Sequence, residues 1–187
     1  VGFLINMCLK SKESFVEAFH GRDISESEKR IETMRHFLHK GDYVLDVGAG
    51  KGAMGEIIQQ AVDVEVIGVD VVDYADARIP IYIYDGHRLP FEDNSFDTVF
   101  LGSVLHHVKD QDVLMGEIVR CSRKQIIILE DTYTSPWEWL FTCWNDYFVN
   151  ILQGRIKVWK GYQRPNITSM PMPLTFRSVR EWLKYFS

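Results

Sequence analysis

Cysteine is scarce in this chain. Cys8, Cys121 and Cys143 are odd in number, far apart and without C-x-x-C spacing. That excludes a disulfide framework and a zinc ribbon, and it suits a reducing, cytoplasmic compartment with buried or incidental thiols. No cluster with metal-ligand spacing is visible, so the sequence implies no metal. Long apolar runs are missing too, and a membrane-spanning helix needs about 20 such residues. Val1-Gly-Phe-Leu-Ile-Asn-Met7 has neither an initiator methionine nor a basic leader segment, so it reads as the cut start of a longer chain and not as a signal peptide. Repeats and low-complexity tracts are absent. An excess of basic residues is lacking as well: 21 Lys and Arg stand against 26 Asp and Glu, a net charge of −5. Nucleic acid is therefore not the expected partner. What remains is a 187-residue chain, 46 % hydrophobic, with enough apolar mass for one domain spanning residues 1–187.

The stretch Tyr43-Val-Leu-Asp-Val-Gly-Ala-Gly-Lys-Gly52 carries the most information. An apolar strand runs into a glycine turn, and a helical pattern, Ala53-Met-Gly-Glu-Ile-Ile-Gln-Gln60, follows. Such a turn brings backbone N–H groups and a helix N-terminus to one place, a common way to bind a nucleotide-like cofactor. Gly50-Lys-Gly-Ala-Met-Gly55 also fits the dinucleotide fingerprint. Asp46, two residues before the first glycine, argues otherwise. A carboxylate aimed at that turn repels a pyrophosphate but suits a ligand that brings a cation. A second strand, Val64-Glu-Val-Ile-Gly-Val-Asp70, ends in an acid 22 residues after Gly48. An acid about 20 residues past the turn is placed to hold a ribose diol. NAD enzymes share that acid, so it speaks for adenosine and not for one chemistry.

Leu45-Asp-Val-Gly-Ala-Gly-Lys-Gly52 resembles the first motif of class I S-adenosylmethionine-dependent methyltransferases. The run Asp85-Gly-His-Arg-Leu-Pro-Phe91, Asn94-Ser-Phe-Asp97 and Leu105-His-His-Val108 resembles the middle motifs of the branch that methylates small molecules, lipids and quinones. The resemblance covers residues 43–131. It implies S-adenosylmethionine as cofactor and S-adenosylhomocysteine as product. It assigns Asp46, Gly48, Ala49, Gly50, Asp70 and Val71 to the cofactor. Asp85 would then meet the adenine amino group and the Gly86 backbone its ring nitrogens, while the Gly102 and Ser103 carbonyls would take the methionine amino group. Asp97, at the opposite end of its strand, reads as structural.

Strands and helical patterns alternate, so a doubly wound, Rossmann-like parallel α/β sheet with flanking helices is expected, in strand order 3-2-1-4-5. Residues 1–40 are expected to be helical, with a capping box at Ser25–Glu28 and a stripe of Ile31, Met34, Phe37 and Leu38. Ser122-Arg-Lys-Gln125 is expected as the turn before the fifth strand. Residues 176–187 read as a last helix. The resemblance implies a further antiparallel strand pair that the sequence does not show after that helix, leaving the fifth strand as an open edge.

Residues 132–175 are the least generic. Pro136, capped by Ser135, opens a helix whose apolar stripe includes Trp137, Phe141, Trp144 and Phe148. Arg155, Lys157, Lys160, Arg164, Arg177 and Arg180 form a basic tract. Together they suggest a wall for a small, hydrophobic or lipid-like methyl acceptor, with peripheral contact to an anionic membrane surface. His106, Trp137, Phe141 and Trp144 are the expected acceptor contacts, and His107 is the candidate base. Glu130 and Asp131 are alternative acceptor-side groups. The expected activity is transfer of a sulfonium methyl to that acceptor. An NAD-dependent oxidoreductase and an inactive methyltransferase-like binding subunit stay open as alternatives.

Overall fold

The structure is a computed structural model and describes residues 2–8, 14–18, 32–74, 77–148 and 175–187. Five parallel strands form its centre: β3 (Tyr43–Val47), β4 (Glu65–Asp70), β5 (Ile81–Ile83), β6 (Phe96–Gly102) and β7 (Ser122–Tyr133). Their spatial order, β7-β6-β3-β4-β5, is the expected 3-2-1-4-5 read from the other edge. β3, β6 and β7 read as near-continuous apolar runs because both faces of the sheet are covered.

Helices cover both faces. On one, residues 32–38 and α1 (Ala53–Val62) bury Met34, Leu38 and Ile58 against Val44, Val66 and Ile127. On the other, α2 (Gln111–Cys121) places Leu114, Met115, Ile118 and Cys121 against Leu45, Val99 and Ile128. Trp182 of the last helix, α4 (Val179–Tyr185), is fully buried there too. α3 (Pro136–Tyr147) is capped by Ser135, whose Oγ accepts from the Glu138 N–H. Cys121 and Cys143 are free and buried; the Cys8 side chain lies outside the described residues.

The N-terminus corrects the sequence reading. Residues 2–8 and 14–18 are strands, β1 (Gly2–Cys8) and β2 (Ser14–Ala18), not helices. β1 pairs antiparallel with β7 from Gly2↔Asp131 to Cys8↔Gln125, and β2 pairs antiparallel with β1. A short apolar run such as Gly2-Phe-Leu-Ile-Asn-Met-Cys8 fits a strand or a buried helix equally by pattern, so the partner decides. Here the partner is the unpaired edge of β7. The edge expected to be open is therefore covered, and the sheet gains an antiparallel pair from the front of the chain. The capping box at Ser25–Glu28 lies outside the described residues. The expected turn at Ser122–Gln125 is instead the start of β7, with a register shift between Phe96 and Thr98 where β6 meets it.

At the sheet's amino end, Asp97 accepts from the Tyr43 N–H and pairs with Arg123 and Lys124. It ties three strands together far from their carboxyl ends, as a structural residue should.

Candidate functional site at the carboxyl edge of the sheet

The turn after β3 is held by its neighbours. The Gly48 and Ala49 N–H groups donate to the Val69 carbonyl at 2.8 and 3.2 Å. Gly48 has φ 71°, and a Cβ there would come within 2.6 Å of Val104 Cγ2, so only glycine lets the turn approach the loop after β6. Gly50, at φ 57°, has open space beside it among the described residues. Its N–H donates to Asp70 Oδ2 at 2.8 Å, and the Val72 N–H donates to Asp70 Oδ1 at 2.9 Å. Each oxygen keeps a second acceptor site for a ligand.

Asp46 lies beneath this turn. It is buried, and its Oδ2 has no hydrogen-bond partner among the described residues. Burial, then the charge of Asp70, push its carboxyl up to about 7, against the pull of the Gly55 N–H. A buried acceptor left bare is costly, and a cationic group at this turn would relieve it.

Asp85 stands beyond β5 on the surface. Its Oδ1 accepts from the His87 and Arg88 N–H groups at 2.8 and 3.0 Å. Those N–H groups, Arg88 first, hold the carboxyl below its ordinary range. Val71 Cγ1 would lie 3.5 Å from a Cβ on Gly86, so an apolar side chain flanks the loop. At the end of β6, Ser103 takes φ 56°, uncommon for a residue with a Cβ, and its N–H donates to the Leu129 carbonyl at 2.7 Å. Asp46, Gly48, Ala49, Gly50, Asp70, Val71, Gly102 and Ser103 thus converge on the carboxyl ends of β3, β4 and β6. Asp85 and Gly86 follow β5 next to them.

A second set of side chains gathers beside β7. Glu130 is buried; its Oε1 accepts from the Val104 and Leu105 N–H groups at 2.8 and 2.6 Å, and its Oε2 meets His106 Nδ1 at 2.7 Å. Burial works against the His106 imidazolium, but Glu130, aided by Asp146 and Asp131, prevails and raises its pKa. The His106 carbonyl accepts from Thr175 Oγ1, and Phe176 stacks on its ring at 4.4 Å. Gln111 Nε2 donates to the Leu105 carbonyl at 2.8 Å. His106 is thus a buried, fixed residue and His107 a half-buried one beside it, with ring centroids 4.0 Å apart.

Asp146, from the last turn of α3, was not legible in the sequence as a site residue. Its Oδ1 lies 3.9 Å from His106 Nε2 and 3.8 Å from His107 Nε2. Trp137, Phe141 and Trp144 stand on the outer side of α3, 80 %, 70 % and 64 % exposed, so they are not buried in the core. Of the basic tract, only Arg177 and Arg180 lie within the described residues.

Residues 45–129 match the methyltransferase domain family. Among curated proteins, the chain is 32 % identical over 108 residues to a demethylmenaquinone methyltransferase of Parafrankia, covering 56 % of this chain and 39 % of the relative. It is 29 % identical over 99 residues to the 27-O-demethylrifamycin SV methyltransferase of Amycolatopsis mediterranei, covering 46 % and 36 %. The matches therefore span well under half the length of these relatives. Among solved structures, the YcgJ protein of Bacillus subtilis superposes with a TM-score of 0.59 at 18 % identity, over 84 % of this chain and 65 % of the other. That likeness shows the fold alone. The motif sequence and these relatives agree in pointing to a methyltransferase domain over residues 45–129, carried on a sheet with the fold of the superposed structure.

Proposed function

We propose that this chain binds S-adenosylmethionine at the β3–β4–β6 edge and methylates a small, hydrophobic or lipid-like acceptor. The observation that carries this reading is the buried Asp46 carboxylate, whose Oδ2 has no hydrogen-bond partner among the described residues, under a glycine turn whose Gly50 has open space beside it among those residues. A pyrophosphate would add negative charge beside Asp46 and Asp70; a ligand with a sulfonium and an ammonium group adds the opposite. The residues present thus fit S-adenosylmethionine better than NAD.

In this reading Asp70 accepts from the ribose hydroxyls while fixing the turn through Gly50. Asp85 accepts from the adenine amino group, the Gly86 backbone meets the ring, and Val71 gives it an apolar wall. The Gly102 and Ser103 carbonyls accept from the methionine ammonium. When bound, the cofactor supplies an electrophilic methyl group. The chain's own task is then to align an acceptor with it and exclude water, and proximity provides most of the rate. His106, Trp137, Phe141 and Trp144 are the proposed acceptor contacts. His107 is the proposed group that takes the acceptor's proton. The exposed aromatic side of α3 suits a lipid-like acceptor or peripheral contact with a membrane. The buried free thiols suit the cytoplasm. Among the described residues, no helix is long and apolar enough to cross a membrane.

The test is a thermal shift with S-adenosylhomocysteine and NAD side by side. A ligand at 100 times its dissociation constant stabilises the native state by about 2.7 kcal/mol. A shift with S-adenosylhomocysteine and none with NAD is expected; the reverse would sink the proposal.

A further inference from the structure

We propose that His106, His107 and Asp146 form a binding site for a divalent transition-metal ion of the zinc or iron(II) type. Its exchangeable position would take an oxygen-bearing acceptor. The ion site stands on geometry alone; only the acceptor clause rests on the methyltransferase reading.

One ligand atom from each residue lies within 4.8 Å of the others. The His106 Nε2 to Asp146 Oδ1 and His107 Nε2 to Asp146 Oδ1 separations, 3.9 and 3.8 Å, are too long for hydrogen bonds. Two ligands on a shared tetrahedral ion with bonds of 2.0–2.1 Å stand about 3.4 Å apart. The two gaps to Asp146 need to close by about 0.5 Å and the gap between the two imidazoles, within 4.8 Å, by up to about 1.4 Å, so His107 has to rotate toward the fixed His106.

The surroundings are those of a built site. Glu130 takes the Nδ1 side of His106, so in the neutral imidazole the Nε2 lone pair turns toward Asp146, and an ion binding there displaces the proton. A carboxylate behind a ligating imidazole fixes its tautomer and orientation and increases its basicity. Glu130 also holds the Val104 and Leu105 N–H groups, so the turn carrying both histidines is pinned. The side chains are 2 %, 16 % and 16 % exposed, enclosed yet reachable. Two imidazoles and one carboxylate favour zinc, iron or cobalt over magnesium or calcium, which prefer oxygen ligands. Three protein ligands leave a position open, as in catalytic sites. A hydroxyl bound there becomes more acidic. The same His107 lone pair cannot both bind the ion and take a proton, so the ion replaces His107 as the activating group.

The experiment titrates the full chain, stripped with a chelator, with Co²⁺ and then Zn²⁺, following calorimetry and the Co²⁺ ligand-field absorption. One equivalent of Co²⁺, an intense visible band and displacement by Zn²⁺ are expected. Asp146→Asn, at a partly exposed helix end, should weaken binding at least tenfold while the circular dichroism spectrum stays that of the wild type. Glu130→Gln should weaken it about 10–100-fold, as loss of such a supporting carboxylate does. No stoichiometric binding, or binding that Asp146→Asn and His107→Gln leave unchanged, would overturn the site. S-adenosylhomocysteine is titrated into the same samples. If it fails to bind while Co²⁺ binds, the cofactor reading falls and the metal site stands.

Discussion

The two halves of the site are built differently. The proposed cofactor half is made of backbone: the turn after β3, the ends of β4 and β6, and two carboxylates, Asp46 and Asp70, that serve that turn. The proposed acceptor half is a side-chain network whose hub, Glu130, holds two backbone N–H groups and one imidazole. The first can tolerate change in most side chains, because glycine conformations and strand ends define it. The second depends on every member having its partner, since a half-satisfied buried network is worse than none. The halves should therefore fail in different ways.

The largest effect is expected at the hub. Glu130→Ala strips three donors of their common acceptor inside the protein, and breaking a buried charged pair costs about 3–5 kcal/mol. Urea unfolding should show a loss of that order. A variant as stable as the parent would mean the network is wet and dispensable, and the contrast between the halves would collapse.

Asp70→Ala tests the other half. It removes the acceptor that the proposed ribose site needs and should weaken S-adenosylhomocysteine binding by about 1.5–3 kcal/mol, the range for hydrogen bonds to a charged group. Because the same carboxylate holds the Gly50 and Val72 N–H groups, the unliganded melting temperature should fall as well. Unchanged affinity by calorimetry would move the ribose elsewhere.

The same contrast explains what could be read from the sequence. The β3–α1 turn, Asp70 and the strand order are local or follow from alternation, and each lies in one short stretch whose residue types are dictated by backbone geometry. Asp146 stands 39 residues beyond His107, on a helix whose sequence reads as an apolar stripe. Only the packing of α3 on β7 brings it to the histidines, so no spacing rule could find it. β1 and β2 were misread for a related reason. Their conformation is fixed by the vacant edge of β7, which is a tertiary fact, whereas residues 32–38 carry a helical stripe that buries Met34 and Leu38.

Asp46 sharpens the comparison through pH. Its folded value of about 7 lies above the ordinary 3.8, so between those values the folded chain keeps a proton that the unfolded chain has lost. Stability of the unliganded protein should fall as pH rises from about 4 to 7, by up to ~1.4 kcal/mol per unit from this group, and then level off. Asp46→Asn should flatten that slope. A slope that survives the substitution would locate the titration in the histidine network instead.

The smallest effect on the fold is expected at Trp144. It is largely exposed and stacks on Phe148 at a centroid distance of 6.4 Å, an arrangement that contributes little to a core. Trp144→Ala should change stability by less than about 0.5 kcal/mol, as surface substitutions do. S-adenosylhomocysteine affinity should also hold, because α3 supplies none of the residues proposed for the cofactor. Trp144 stands two residues before Asp146 on α3, about 200° round the helix, so only an acceptor that wraps α3 reaches both. An apolar acceptor wrapped round α3 toward His107 would bury this ring and gain from its area. Turnover of a hydrophobic acceptor should therefore drop through KM, with kcat less affected. Equal losses of cofactor affinity and stability would make Trp144 a fold residue and remove the aromatic side of α3 from the acceptor site.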